Sequence, residues 1–250
     1  MNINNLIESY KNNFYSQALF IFCLGCLSGL SFSYMNIFVC VLLMTVALCG
    51  LFNFLLHANK IRLIFFMGCL FSFGQLFVGL YWIANAFEFI FINGIFIGFI
   101  AILLLTMVLS IFTGISCIAI VYISNLWQLN LFGFSLIFSS FLSLGEFIRG
   151  NIFGGFPWNI LGYIWAESLV LLQSVSLIGI YGLGLFSFLA STSIILIFSK
   201  VKYGIYTLLP ILFLFIYGEI RLNFVNDNSN HFIQLRIIQP LIKQSEKWDE

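Results

Sequence analysis

The chain has 250 residues, 62% of them hydrophobic and 8% charged, which excludes a water-soluble globular domain and marks an integral membrane protein. A formal net charge of +1 leaves no basic face to meet a phosphate backbone, so the composition argues against a nucleic-acid partner.

Residues 1–16 are polar and carry only Glu8 and Lys11; no small-residue cleavage pattern lies behind the apolar run that follows, which reads as an uncleaved first anchor with a cytoplasmic N-terminus. A bilayer core needs about 20 apolar residues per helix. That ruler predicts an all-α polytopic fold with about seven transmembrane helices, at residues 17–34, 36–56, 62–87, 91–123, 131–148, 168–199 and 203–218. The fourth and sixth runs exceed what one perpendicular helix requires, which predicts tilt or extension beyond the lipid. Gly179, Gly182 and Gly184 in the sixth run predict close helix packing.

Lys and Arg in short loops set orientation. With the N-terminus inside, the inner side receives Lys11, Lys60, Arg62, Lys200 and Lys202, and the outer loops receive Arg149. Seven crossings then place residues 219–250 outside, in the periplasm of a Gram-negative cell.

The six cysteines, Cys23, Cys26, Cys40, Cys49, Cys69 and Cys117, all fall within apolar runs. A reactive thiolate needs a nearby cation or helix N-terminus, so they read as small packing residues. The C-x-x-C of Cys23 and Cys26 lacks the strand and turn context of a redox motif. His57 and His231 lie far apart, and neither metal-ligand spacing nor a Gly-rich phosphate loop is present; no cofactor is expected.

One polar interruption breaks the pattern. Residues 144–163 read LGEFIRGNIFGGFPWNILGY. Glu146 and Arg149 stand at i and i+3 on one helix face, where they can neutralise each other at the membrane boundary. They read either as a headgroup or active-site contact or as a structural ion pair fixing a helix end. Phe156, Pro157 and Trp158 read either as part of the same site or as an aromatic belt with a helix break. Glu88 belongs to an outer turn and reads as solvated, and Glu167 is placed to cap the start of the sixth span.

Residues 219–250 form an outer-side linker and tail. Residues 232–239 alternate as FIQLRIIQ before Pro240, the signature of a β-strand. One strand has nothing to pair with, so it reads as an orphan, the opening of a soluble domain.

The phrase E-x-x-R-G-x-x-x-x-G-F-P-W, here Glu146, Arg149, Gly150, Gly155, Phe156, Pro157 and Trp158, resembles the membrane half of apolipoprotein N-acyltransferases. So does GQLFVGLYWI at residues 74–83, and the tail RIIQPLIKQSEKWDE is similar to the first strand and loop of that family's nitrilase-like domain. The resemblance implies transfer of an acyl chain from a membrane phospholipid to the N-terminal diacylglyceryl-cysteine of a lipoprotein precursor, in the bacterial inner membrane. It implies a thioester on a cysteine, a glutamate base and a lysine at the oxyanion. Those three residues belong to the nitrilase-like domain and would lie beyond Glu250, so none is carried over. Trp248 matches a tryptophan of the family pattern. The chain is therefore expected to be a truncated family member, the product of a split or decaying gene, inactive alone unless a separately encoded nitrilase-like chain restores activity. The alternative is a small membrane transporter or lipid-binding membrane protein holding its ligand near Glu146 and Arg149, although no internal repeat supports a transporter.

Overall fold

In hydrocarbon the backbone must satisfy its own polar groups, which apolar runs do by coiling into helices. The computed structural model describes residues 13–33, 36–89, 93–224 and 235–239. Its helices are α1 (Phe14–Leu30), α2 (Ile37–His57), α3 (Ile61–Leu80), α4 (Gly94–Leu126), α5 (Leu131–Asn151), the single turn α6 (Leu169–Leu172), α7 (Val175–Phe198) and α8 (Leu209–Phe224). Short 3-10 segments follow α3 (Tyr81–Phe89) and precede α6 (Leu161–Trp165) and α8 (Gly204–Leu208). Asparagines start three helices: the side chains of Asn13, Asn36 and Asn130 accept from Tyr15, Phe38 and Gly133 N–H at 3.0, 2.9 and 2.8 Å.

Among the described residues six segments are long and apolar enough to cross a membrane, and they overlap the second to seventh predicted spans. The first, α1, has 17 residues and is about 26 Å long, just short of a core of about 30 Å. At 33 residues α4 is the long helix expected, about 50 Å from end to end.

Packing closes α1, α3, α4, α5, α7 and α2 into a ring in that order. Its interior holds Met44, Leu51 and Phe52 of α2, Met67 and Phe71 of α3, Cys117 and Ile120 of α4, and Phe134 and Phe138 of α5. Phe52 meets both phenylalanines of α5 edge to face, at 4.9 and 5.1 Å between ring centroids. The seam between α1 and α3 is made by backbone against backbone. A Cβ on Gly25 would sit 2.1 Å from the Phe71 carbonyl oxygen, and one on Gly74 would sit 2.8 Å from that of Phe22. The thiols of Cys69 and Cys117 fill space beside Gly114 and Gly68 on the α3–α4 seam, the packing role expected of them. Buried hydroxyls such as Thr106, Ser139 and Ser187 donate to carbonyls one turn back, at 2.8, 2.8 and 2.7 Å, and so avoid an unpaired polar group. The peripheral helix α8 buries little more than Leu214 and Gly218 and leans on α6.

Two expectations are corrected, and the orphan strand is not confirmed. The sixth predicted span is not one helix: α6 ends at Leu172, and α7 is broken at Gly179, whose φ of 68° and ψ of 174° take it out of the helix; nothing packs on it within 4 Å. Gly179 therefore bends the chain instead of admitting a neighbour. The cap before α6 is Ser168, whose hydroxyl accepts from Leu171 N–H at 3.3 Å, and not Glu167. Residues 235–239 of the expected strand are exposed and have no regular secondary structure; residues 232–234 and Trp248 lie outside the described residues.

Gly25→Ala should lower the thermal midpoint in detergent, since overpacking of a tight seam costs about 1–3 kcal/mol. Leu19→Ala, on a lipid-exposed position of the same helix, should leave it unchanged. Equal midpoints for the two variants would show that the α1–α3 approach is not limiting.

Candidate functional site

The 21-residue helix α5 ends in the polar interruption, and its last turn carries Glu146 and Arg149. Arg149 is only 5% exposed, so its guanidinium must find partners inside the protein. It does not find them in Glu146: the two form no ion pair within 4.0 Å. Each grips the chain that follows. Arg149 Nη1 donates to the Trp158 carbonyl at 2.9 Å and Nη2 to that of Asn159 at 3.4 Å. Both carboxylate oxygens of Glu146 accept from Leu161 N–H at 3.1 Å. The simple neutralising pair expected from i, i+3 spacing is replaced by two side chains that clamp one loop between them. Loop carbonyls and an N–H at this depth offer better-directed partners than a neighbour on the same helix.

The loop reaches the clamp by folding back on α5. Gly155 N–H donates to Ile152 O at 2.9 Å, and Phe156 N–H to Arg149 O at 3.0 Å. Phe153, Gly154, Gly155 and Asn159 all take positive φ, of 55°, 87°, 78° and 54°. A Cβ on Gly155 would also lie 2.3 Å from the Gly150 carbonyl, so both its φ and its surroundings demand glycine.

This return brings the two membrane motifs together. A Cβ on Gly79, in the GQLFVGLYWI segment, would fall 1.8 Å from Asn159 Nδ2; the missing side chain is the space the asparagine amide occupies. The Trp82 and Trp158 rings lie 5.6 Å apart at 55°, and Phe156 meets Trp158 edge to face at 5.0 Å. Phe156 also packs on the small cluster of Leu76, Leu80 and Leu109. Of the candidate residues, Arg149, Phe156 and Trp158 are thus joined directly, Glu146 reaches the same loop at Leu161, Pro157 lies exposed between the two aromatics, and Trp248 lies outside the described residues. Sequence reading missed Asn159 and Gly79 as contact partners, although both stand inside quoted motifs; only their proximity in space gives them a role.

Beside the tryptophan pair opens a cavity of about 280 Å³, bordered by Ser31, Cys40, Trp82, Trp158, Asn159 and Glu167 among others. Asn159 Nδ2 is buried without a hydrogen-bond partner. No Lys, Arg or His lines the cavity. Cys40, 4% exposed, therefore has no cation there to favour its thiolate, and Glu167 has no amine beside it. The arrangement can hold and orient a ligand through aromatic faces and a few polar groups; it offers no activated nucleophile.

Glu146→Ala should loosen the loop by about 1–3 kcal/mol, the cost of stranding a buried N–H, whereas Glu146→Gln keeps an acceptor for Leu161 and should cost less. Gly79→Val should displace Asn159 and Trp158 together. Limited proteolysis at residues 150–160, with tryptophan emission, measures both; equal cleavage of Glu146→Ala and wild type would remove the clamp.

Comparison with known proteins supplies the family. Residues 24–193 match the model of the apolipoprotein N-acyltransferase N-terminal domain. An apolipoprotein N-acyltransferase of Rickettsia typhi is 32% identical over 243 residues, covering 94% of this chain and 47% of that protein. One from Rickettsia bellii is 33% identical over 191 residues, 74% of this chain and 37% of that protein, and one from Allorhizobium ampelinum is 29% identical over 197 residues, 77% and 36%. The chain spans less than half the length of these curated relatives. With its apolar helices, its clamped loop and a family model matched over most of its length, the chain belongs to the apolipoprotein N-acyltransferase family and represents that family's N-terminal membrane domain.

Proposed function

We propose that this chain is the substrate-positioning membrane half of an acyl-transfer enzyme, holding a phospholipid donor and a diacylglyceryl-cysteine lipoprotein acceptor at one membrane surface. The observation that carries this reading is the convergence of the two motifs on the clamped loop, where Trp82, Trp158 and Asn159 border an open cavity. Aromatic faces at a helix-end plane suit the boundary between acyl chain and headgroup. Glu146 and Arg149 act as positioning residues: they fix the loop and do not reach the reacting atoms.

The topology that goes with this reading has seven crossings, with α1 as the first despite its 17 residues. The C-terminal ends of α1, α3 and α5, and with them the cavity, then face the periplasm, as do residues 219–250. Lys60, Arg62, Lys200 and Lys202 face the cytoplasm, in keeping with loop charge.

The bond-making step needs an activated thiolate. None of the six cysteines is in a disulfide, and five of them are part-buried or fully buried within the helices. On this reading the nucleophile, base and oxyanion lysine come from a nitrilase-like lobe, continuous with the chain or separately encoded, and the 250 residues by themselves are inactive. Family membership also displaces the transporter reading.

Two measurements test this. The purified 250-residue chain should leave a diacylated lipopeptide unmodified in detergent, whereas a chimera carrying these residues in place of the membrane half of the Rickettsia typhi protein should N-acylate it. A Gly79→Val chimera should lose at least about tenfold in rate, of the order that a 1 Å misplacement costs. N-acylation by the chain alone, or full activity of the Gly79→Val chimera, would overturn the assignment. A periplasmic alkaline phosphatase fused after Phe224 should be active, and a silent fusion would reverse the topology.

A further inference from the structure

At the opposite end of α3 from the tryptophan pair lies a second hollow, of about 510 Å³, lined by Phe14, Lys60, Ile61, Arg62, Leu63 and Phe66. It forms because α1 and α3 run parallel and start side by side. Phe14 and Phe66 pack with ring centroids 5.7 Å apart at 31°, making an apolar floor. Lys60 and Arg62 stand at its edge, both exposed, and among the described residues neither side chain makes a hydrogen bond or an ion pair. Two exposed cations above an aromatic trough present complementary chemistry to one kind of molecule: a negatively charged headgroup on a hydrocarbon chain. A zwitterionic lipid would bring its own ammonium to the same two cations and lose part of the attraction.

We propose that this hollow is a binding site for an anionic glycerophospholipid, the phosphate held by Lys60 and Arg62 and one acyl chain lying along Phe14, Leu63 and Phe66. Basic pockets between transmembrane helices recognise anionic headgroups in this way. The site is separated from the tryptophan pair by the 20 residues of α3, about 30 Å, so it is distinct from the cavity beside the clamp. It rests on the charge and shape of the hollow and not on the acyl-transfer reading, and it holds whichever leaflet the end of α3 meets. The site anchors and stabilises the α1–α3 seam and takes no part in chemistry.

The test is native mass spectrometry of the full 250-residue chain titrated with phosphatidylglycerol or with phosphatidylethanolamine. One phosphatidylglycerol should be retained in preference to phosphatidylethanolamine. The pair Lys60→Gln and Arg62→Gln should weaken it about 30-fold, close to a fivefold loss for each cation. The pair Lys200→Gln and Lys202→Gln removes as much charge elsewhere and should leave binding unchanged. Phosphatidylglycerol should also raise the thermal midpoint of the wild type and not of the Lys60→Gln, Arg62→Gln chain, a readout that stands if the variant binds poorly for want of stability. Equal retention of the two lipids would overturn the proposal, as would equal weakening by both double variants. An empty site in the wild type would do the same.

Discussion

A guanidinium and a carboxylate at the end of α5 hold the carbonyls of Trp158 and Asn159 and the N–H of Leu161, and the upper part of the structure follows from that grip. Irregular backbone close to hydrocarbon survives only where protein groups replace water as its hydrogen-bond partners. The loop after α5 is irregular over about ten residues, with four of them at positive φ. Without Glu146 and Arg149, three of its backbone polar groups would lose those partners. With them, the loop returns to the helix from which it left and carries Phe156 and Trp158 onto the end of α3. The two charges are accordingly separate anchors on one loop, and each satisfies the other's electrostatic needs only at a distance.

The ring of helices beneath is governed by a different constraint. Lipid tails are as apolar as the helices themselves, so association depends on close contact and not on exclusion from water. Gly25 and Gly74 let α1 and α3 touch through their backbones, and the thiols of Cys69 and Cys117 meet glycines on the α3–α4 seam. This gives α3 a fixed position between α1 and α4. That position matters at both of its ends, because the 3-10 segment that carries Trp82 to Trp158 continues from one end and the Lys60 hollow lies at the other. In contrast, α8 touches the bundle through few residues.

For the family, the arrangement separates two tasks that a single enzyme must combine. On the proposed reading the membrane half binds and orients, through the aromatic faces and polar groups that border the cavity, which no Lys, Arg or His lines. Positioning is worth several kcal/mol to a two-substrate reaction even when it supplies no reacting group. On the proposed reading, such a platform presents lipid-borne groups to a catalytic lobe supplied by other residues.

Composition and run length alone determined the class of fold and the approximate position of six membrane-length helices, because a residue's preference for hydrocarbon is local and additive along a helix. The three motifs, quoted from the residues, were enough to point to the family. What only the tertiary structure decided was partnership. Glu146 and Arg149 look like each other's partners at i and i+3, yet their geometry turns each to backbone nine to fifteen residues further on. Gly179 looks like a packing glycine, yet it breaks α7; Glu167 looks like a cap, yet Ser168 provides it. Asn159 acquires its place only because Gly79, eighty residues earlier, leaves room. Helical periodicity records which face a side chain is on, whereas the choice between two satisfactory partners depends on distances of an ångström between segments remote in the chain, and those are fixed only when the bundle closes.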